Sequence, residues 1–467
     1  MSRSVESEQS IIVWFRDDFR LQDNPAFDAA VKTGRLIIPI FILEPKNRWS
    51  YGEVSKLWLG ATLRQLSSEL EARGSYLVCL KGQSNTLLES LIEKTNAHSI
   101  YWNRRYDPAG VSVDKAIFSN LKGRCGIKSF EGRLLSEPTK LKSGGGTPYK
   151  VFTPFYKMCL KVGLDISVSS KADRIMSPSP SGLGDSVESI LPQAQLPWQK
   201  ALVKQWSIGE RSALKKLDIF ISGTLQQYSE GRDFPGRGHI SFLSPHLRFG
   251  EISIRRVWYE IQCAVELAPQ LAACAEAWGR QLFWRDFAYS VLFHFPYTSE
   301  KPLRGESNDY LWLDDEGGFI SWTQGKTGFP IIDAGMRELW ATGFMHNRVR
   351  MLVASFLCKH LGVHWLKGAE WFWNTLVDAD LASNTFGWQW SAGCGADAAP
   401  YFRIFNPVTQ SKKFDPDGVY IKRWIPELRH LTSKTIHEPG NEGYIQPIVE
   451  LSAGRSAALA RYARSKC

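Results

Sequence analysis

Five short apolar runs punctuate the first 130 residues: IIVWF (11–15), LIIPIFIL (36–43), YLVCL (76–80), SIYW (99–102) and IKSF (127–130). They are rich in β-branched and aromatic residues, largely continuous rather than alternating, and shorter than a buried helix needs. Helix-compatible stretches such as 55–73 and 85–95 separate them. Strands buried on both faces and alternating with helices predict an α/β domain over residues 11–135 with a parallel sheet, preceded by a polar tail, 1–10. The turn after the first run, RDDFRLQDNP, contains no GxGxxG, so the dinucleotide fingerprint is absent there. From 136 to 200 the pattern breaks into SGGGTP, SPSPSGLGDS and LPQAQLP, the composition of a connector, with one apolar piece around Tyr149–Leu160. Beyond 200 the period lengthens to that of helices, at 209–228, 250–266, 270–295, 330–342, 344–361 and 366–377. That pattern predicts a large all-helical domain over 201–440, then a short C-terminal tail, 441–467.

Composition refines this outline in three places. The 467 residues exceed one core and fit two or three domains, and 43% hydrophobic with 22% charged residues is ordinary for a globular chain. A formal net charge of +10 fits either a basic solvated surface or attraction to a polyanion. Eight cysteines, Cys467 among them, include no CxxC pair and no histidine at ligand spacing, which predicts reduced thiols and no metal site. The polar opening MSRSVESEQS does not read as a signal peptide, and no apolar run approaches the roughly 20 residues that cross a bilayer. A soluble, cytoplasmic protein with no membrane partner is the expectation. The 18 tryptophans, most of them after residue 250, serve a large aromatic core, stacking platforms or electron transfer.

Three helical-domain segments mix aromatic, acidic, amide and arginine side chains. In WGRQLFWRDF, helical spacing puts Trp278, Gln281 and Arg285 on one face with Trp284 beside them. In GFMHNRVRM, Asn347 and Met351 lie one turn apart, flanked by Arg348 and Arg350. In DADLASNTFGWQW, Asp380, Asn384 and Trp388 follow one another at intervals of four, and Asp378 and Asp380 are acceptors suited to ribityl, ribose or ring N–H groups. Polar groups on apolar helices are costly without a partner, so these spacings point to a polar cavity, a candidate cofactor site. Plain aromatic packing and surface ion pairs remain the alternatives.

The blocks GKTGFPIIDAGMRELWATGFMHNRVRM and WQWSAGCGADAAPYFRIFNPVTQSKKFDPDG, with the opening VWFRDDFRLQDNPA, resemble the signature blocks of the photolyase/cryptochrome family. The resemblance runs from about residue 10 to about 435. It implies an N-terminal α/β domain and a helical domain holding FAD bent into a U. By resemblance, Tyr228, Ile240, Ser241, Phe242, Leu243 and Ser244 hold the FAD phosphates and sugar, although the family usually has a small hydroxylic residue where Ile240 stands. Trp278, Gln281, Arg285, Asn347, Arg350, Asp378 and Asp380 line the rest of the cofactor. Asn384 matches the position facing flavin N5, where photolyases resemble this chain in carrying Asn. Trp388, Trp365 and Trp312 match the electron-transfer chain from flavin to surface.

For DNA, the resemblance assigns Arg232, Arg348 and Arg403 to the lesion and its phosphates. Trp284 and Trp390 become the aromatic walls against which a flipped-out pyrimidine dimer packs, with Met351 beside it. The implied partner is UV-damaged DNA, and the implied reaction is light-driven splitting of cyclobutane dimers by an electron from reduced FAD, in a monomeric protein. An antenna chromophore is also implied: methenyltetrahydrofolate is the expectation and deazaflavin the alternative, and neither Glu44–Tyr51 nor Tyr101–Pro108 carries a decisive code for it. Gln281 departs from the pattern, since dimer-repairing relatives usually carry a lesion-contacting Glu there. Six-four photolyases resemble the chain in having Gln, but their paired histidines fall at Asn347 and Met351. Repair is therefore conditional on Gln281. A photolyase-like light receptor without repair is the alternative, followed by a DNA-binding flavoprotein without photochemistry; the short stretch after the family blocks favours repair.

Overall fold

The computed structural model describes residues 9–464, apart from 165, 170, 180–181, 305–311, 399, 402 and 441. Cys467 and most of the N-terminal tail lie outside the described residues.

The five apolar runs become strands β1 (Ser10–Trp14), β2 (Leu36–Leu43), β3 (Val78–Lys81), β4 (Ser99–Asn103) and β5 (Gly126–Phe130), all parallel, in the order β3-β2-β1-β4-β5. Pleating sends alternate residues to opposite faces. Ile11, Val13, Ile37 and Phe41 meet Trp58, Leu59 and Leu63 of the Glu53–Glu71 helix, whereas Ile12, Trp14, Ile38 and Ile40 meet Leu88, Leu91 and Ile117 from the Ser84–Thr95 and Pro108–Leu121 helices. Pro39 sits inside β2 without breaking the ladder. The carbonyl of Ile40 accepts the Phe15 N–H, so Ile40 faces β1 and Pro39 faces the other flank, where pairing with β3 begins only at Ile40. The missing proline N–H is not needed there.

Described parts of the connector return to the sheet. Ile37 N–H donates to Met176 O (2.7 Å), and Cys79 and Asp185 form a bridge. Its apolar piece is the Phe152–Val162 helix, buried against the helical domain. The helical domain is built on Glu210–Ile219, Ile254–Leu267, Ala272–His294, Pro330–Thr342, Asn347–Ser355, Trp365–Thr375 and Leu381–Ala392. The stretch expected as a C-terminal tail contains a further helix, Leu451–Arg464, with Arg461 donating to Lys359 O (2.7 Å) and Tyr462 stacked on Tyr401 at 4.6 Å. Among the described residues no helix is long and apolar enough to cross a membrane, no disulfide forms, and no acidic, histidine or cysteine cluster could hold a metal ion.

Candidate cofactor and lesion sites

A short turn, Asp378–Asp380, lies where two sites back onto each other. Asp378 is buried and accepts both its bonds to Arg350 from Nη2 (3.0 and 2.9 Å), while Ser244 Oγ donates at 2.6 Å. Arg350 is braced by Nε donating to Met345 O at 2.7 Å. Two distant segments thus converge on one carboxylate, and charge-assisted bonds of this kind are the stronger ones. Two residues on, Asp380 caps the Leu381–Ala392 helix, accepting the Ser383 N–H at 2.8 Å. Its other oxygen takes the Tyr289 hydroxyl, which in turn accepts from Arg133 (3.0 and 2.8 Å). Burial opposes the charge on Asp380, yet Arg285, Arg133 and Arg248 around it hold its pKa below the ordinary value. Asp380 therefore opens toward the interdomain cleft described below, while Asp378 stays with Arg350 and Ser244.

From that cap the helix carries Asn384 and Trp388 inward, both buried. Asn384 Nδ2 donates to Ala369 O at 2.9 Å, which leaves its carbonyl oxygen as the acceptor offered to a ligand N–H. Trp388 lies edge-on to Phe372 (5.0 Å) and Trp322 (6.1 Å), with its six-membered ring against Gly368, where any Cβ would collide with it. Gly368 is one turn beyond Trp365, itself buried at 1% exposure. His364 lies 5.8 Å from Trp365 and 4.8 Å from the half-buried Trp312, so ring neighbours step outward toward the surface. Burial lowers the His364 pKa, with Glu370 opposing, which favours a neutral imidazole between the two indoles.

The turn before Ser244 holds Phe242 at φ 53°, a left-handed conformation uncommon for a bulky residue and of a kind that marks functional sites. Phe344 (5.2 Å) and Trp206 (6.5 Å) pack on its ring. Ser241 Oγ accepts the Leu243 N–H at 3.3 Å, and Leu243 is buried in the helical core. Ile240 packs against the apolar core of the other domain, so it supplies no hydroxyl here. Tyr228 and Trp278 are buried on either side of Phe220, at 6.1 and 5.3 Å. Gln281 Nε2 bonds back to Ala277 O (3.2 Å), and Arg285 donates to Arg133 O (2.9 Å) while lying 4.9 Å over the Tyr289 ring. Asn347 is exposed.

The residues assigned to DNA fall into separate groups. Arg348 pairs with Asp233 (2.8 Å), covers the Phe414 ring (4.3 Å) and reaches Met351 Sδ (3.8 Å), with Arg232 next in sequence to Asp233 and 5.3 Å over Tyr228. Trp284 is half-buried and stacked on Phe152; Trp390 is half-buried. Arg403 is exposed, and its carbonyl accepts from buried Lys359 (2.9 Å).

A second site is a cleft of about 810 Å³ between the domains, bordered by residues of Glu44–Tyr51 and Tyr101–Pro108, the two stretches in which the sequence carried no decisive antenna code. Its lining includes the 44–51 loop, Arg105, Asp107, Trp373 and Asp380, and Trp49 meets Trp373 edge to face at 5.5 Å. Asp17 anchors the floor, bonded by Tyr51 (2.7 Å) and Arg248 (2.8 Å) with Arg133 at 3.6 Å. Burial works against its charge, but Arg248, Arg133 and Arg105 hold its pKa well below the usual carboxylate range. Tyr289 is pushed up to about 12, by burial first. One local signal was available: Tyr289 is one helical turn beyond Arg285, on the same face.

Residues 11–174 match the model for DNA photolyase, and residues 278–464 match the model for the FAD binding domain of DNA photolyase. The deoxyribodipyrimidine photo-lyase of Agrobacterium fabrum is 44% identical over 98% of both chains. Cryptochrome-1 of Arabidopsis thaliana is 36% identical over 92% of this chain and 64% of its own length. The crystal structure of a bacterial class III photolyase from Agrobacterium tumefaciens is 42% identical and superposes with a TM-score of 0.93, covering 100% of this chain and 99% of that one. With an FAD-binding helical domain behind a parallel α/β domain, the chain belongs to the DNA photolyase family, on the side of its photo-lyase enzymes.

Proposed function

We propose that this chain binds UV-damaged DNA and splits cyclobutane pyrimidine dimers in light, using FAD held in the helical domain. The observation that carries the reading is the junction of Asp378, Arg350 and Ser244, together with buried Asn384, whose amide nitrogen is engaged by Ala369 O and whose oxygen is left as an acceptor. A buried carboxylate, a guanidinium, a hydroxyl and an open amide acceptor suit a flavin nucleotide, whose ring edge presents N–H donors and whose chain is polyhydroxylic. Bound and reduced, that cofactor supplies the light-excited electron that opens the cyclobutane ring and takes it back afterwards.

The chain's own residues then have defined tasks. Asn384 accepts from the flavin N5–H through its oxygen, its orientation fixed by the bond to Ala369. Arg350 and Ser244 keep Asp378 in place. Ser241, Ser244 and the backbone of the Phe242 turn serve the phosphates and sugar, with Tyr228, Ile240 and Leu243 packing around them; Trp278, Arg285 and Asn347 close the pocket, and Asp380 braces it from the cleft side. Trp284 and Trp390 take the flipped-out lesion, beside Met351, and Arg232, Arg348 and Arg403 take phosphates. Gln281 meets the pyrimidine carbonyl after its amide releases Ala277. The order of exposure, from Trp388 and Trp365 to Trp312, suits refilling of the flavin with electrons from the surface.

The interdomain cleft suits the antenna. Its volume fits a drug-sized ligand, Trp49 and Trp373 offer faces for a fused heterocycle, and the cations Lys46, Lys81 and Arg105 suit a carboxylate tail such as that of methenyltetrahydrofolate. Deazaflavin is the competing occupant.

One experiment covers both readings: the action spectrum of dimer loss from irradiated oligothymidine, for native protein and Gln281→Glu. Native protein repairs measurably, and Gln281→Glu repairs more per photon by roughly tenfold, the scale of one hydrogen bond to a charged group. A near-ultraviolet band above the flavin spectrum marks the folate. Photoreduction of both forms without dimer loss would overturn repair in favour of a light receptor.

A further inference from the structure

The connector between the domains reaches the lesion wall itself. Its helix opens with Phe152, whose ring lies parallel to Trp284, 3.7 Å between centroids and 7° between planes. Behind it Tyr156 continues the stack at 5.7 Å and 11°. The Arg280 guanidinium lies over both of these rings, 5.4 Å from Phe152 and 4.7 Å from Tyr156. Phe152 is 1% exposed, whereas Trp284 is only half-buried. One face of the indole is therefore taken by the connector, and its remaining exposure belongs to the opposite face and edge. Phe287 and Phe386 also meet Trp284, both at 6.0 Å, but at 68° and 57°, so neither stacks on it.

We propose that Phe152 is a positioning residue for lesion recognition, backing Trp284 so that the indole offers a single preformed face to a flipped-out pyrimidine dimer. This rests on the dimer-binding reading above. An unbacked indole loses side-chain freedom when a ligand stacks on it; one clamped beforehand has already lost it, and that difference appears as affinity. With its rear face filled, Trp284 stacks on one partner only. A dimer docked against a wall fits that geometry, and a base inserted between two rings does not. Arg280 fastens the column from its far side, holding Phe152 and Tyr156 through cation–π contacts.

A double-mutant cycle on the full FAD-loaded protein tests this. The reading is the affinity for a dimer-containing oligonucleotide divided by that for the undamaged one. Phe152→Leu lowers this ratio by about two- to tenfold, the affinity equivalent of a stacked aromatic pair. On a Trp284→Ala background it produces no further change, because the residue acts through that indole. Phe152→Tyr, which keeps the ring, keeps the ratio. Flavin content checks folding, and Phe152→Met, buried and flexible, replaces the leucine variant if that does not fold. An unchanged ratio in Phe152→Leu, or an equal loss with and without Trp284, overturns the inference. A native protein with no preference for the dimer overturns the dimer reading, and the inference with it.

Discussion

Single residues at this site are constrained mostly from behind. Gly368 illustrates the point: φ at this glycine is helical and any residue could adopt it, but the Trp388 ring fills the space of a side chain. Adding even one methyl group forces Trp388 away from the helix that carries Trp365. Gly368→Ala is expected to cost about 1–3 kcal/mol of stability, the range for overpacking a filled core, and to slow photoreduction of the bound flavin. Thermal unfolding and the rate of flavin bleaching under blue light check the two effects. The two aspartates of the 378–380 turn show the limit of reading residues from spacing. Both were expected on the flavin. Asp378 joins Arg350 and Ser244, whereas Asp380 meets Tyr289 and Arg133, partners from segments more than 90 residues away that spacing does not reveal.

At the scale of elements, the apolar runs fixed strand positions to within a few residues, since a strand buried on both faces has no polar positions to blur its limits. The long helices were legible for a similar reason. The Leu451–Arg464 helix was not: LSAGRSAALARYAR has few large apolar residues, and it is held by Arg461 and Tyr462 meeting distant partners. The interdomain cleft was less legible, because the 44–51 loop that supplies about a quarter of its lining has no period at all.

Element packing also sets one pH response. Glu338, on the Pro330–Thr342 helix, receives the Tyr420 hydroxyl at 2.6 Å and the His346 N–H at 3.2 Å. Burial raises its pKa to about 7, against the opposing effect of those two bonds and of Arg350. A raised carboxyl binds its proton more tightly in the folded chain. Between the unfolded value near 4.5 and about 7, the folded state therefore holds more protons, and this group's contribution to stability falls as pH rises. Glu338→Gln removes that titration. The melting temperature of the variant is expected to fall less steeply between pH 5 and 7 than that of the native protein, measured by scanning calorimetry in matched buffers; parallel slopes would exclude Glu338 as the source.

For the whole molecule the decisive seam is a buried acceptor shared by both domains. Glu251 has no exposed surface and lies at the start of the helical domain's first long helices. Trp58 Nε1 of the α/β domain donates to it at 2.9 Å, the Thr62 hydroxyl donates to the same oxygen, and His246 Nδ1 lies 2.5 Å from the other. Trp58 is also stacked on Phe249 at 6.1 Å and edge-on to His246 at 5.4 Å, so the polar contacts sit within an apolar seam that excludes water. Removing the acceptor strands three buried partners at once, which costs far more than the net value of the bonds themselves. Glu251→Ala is expected to destabilise the protein by about 3–5 kcal/mol. Because Trp58 and Glu251 belong to different domains, the loss falls on their association. The native protein should unfold in urea as one transition and the variant as two, with the α/β domain and the helical domain melting apart, followed by far-ultraviolet circular dichroism together with flavin release. A single transition shifted to lower urea would instead assign Glu251 to the stability of one domain alone.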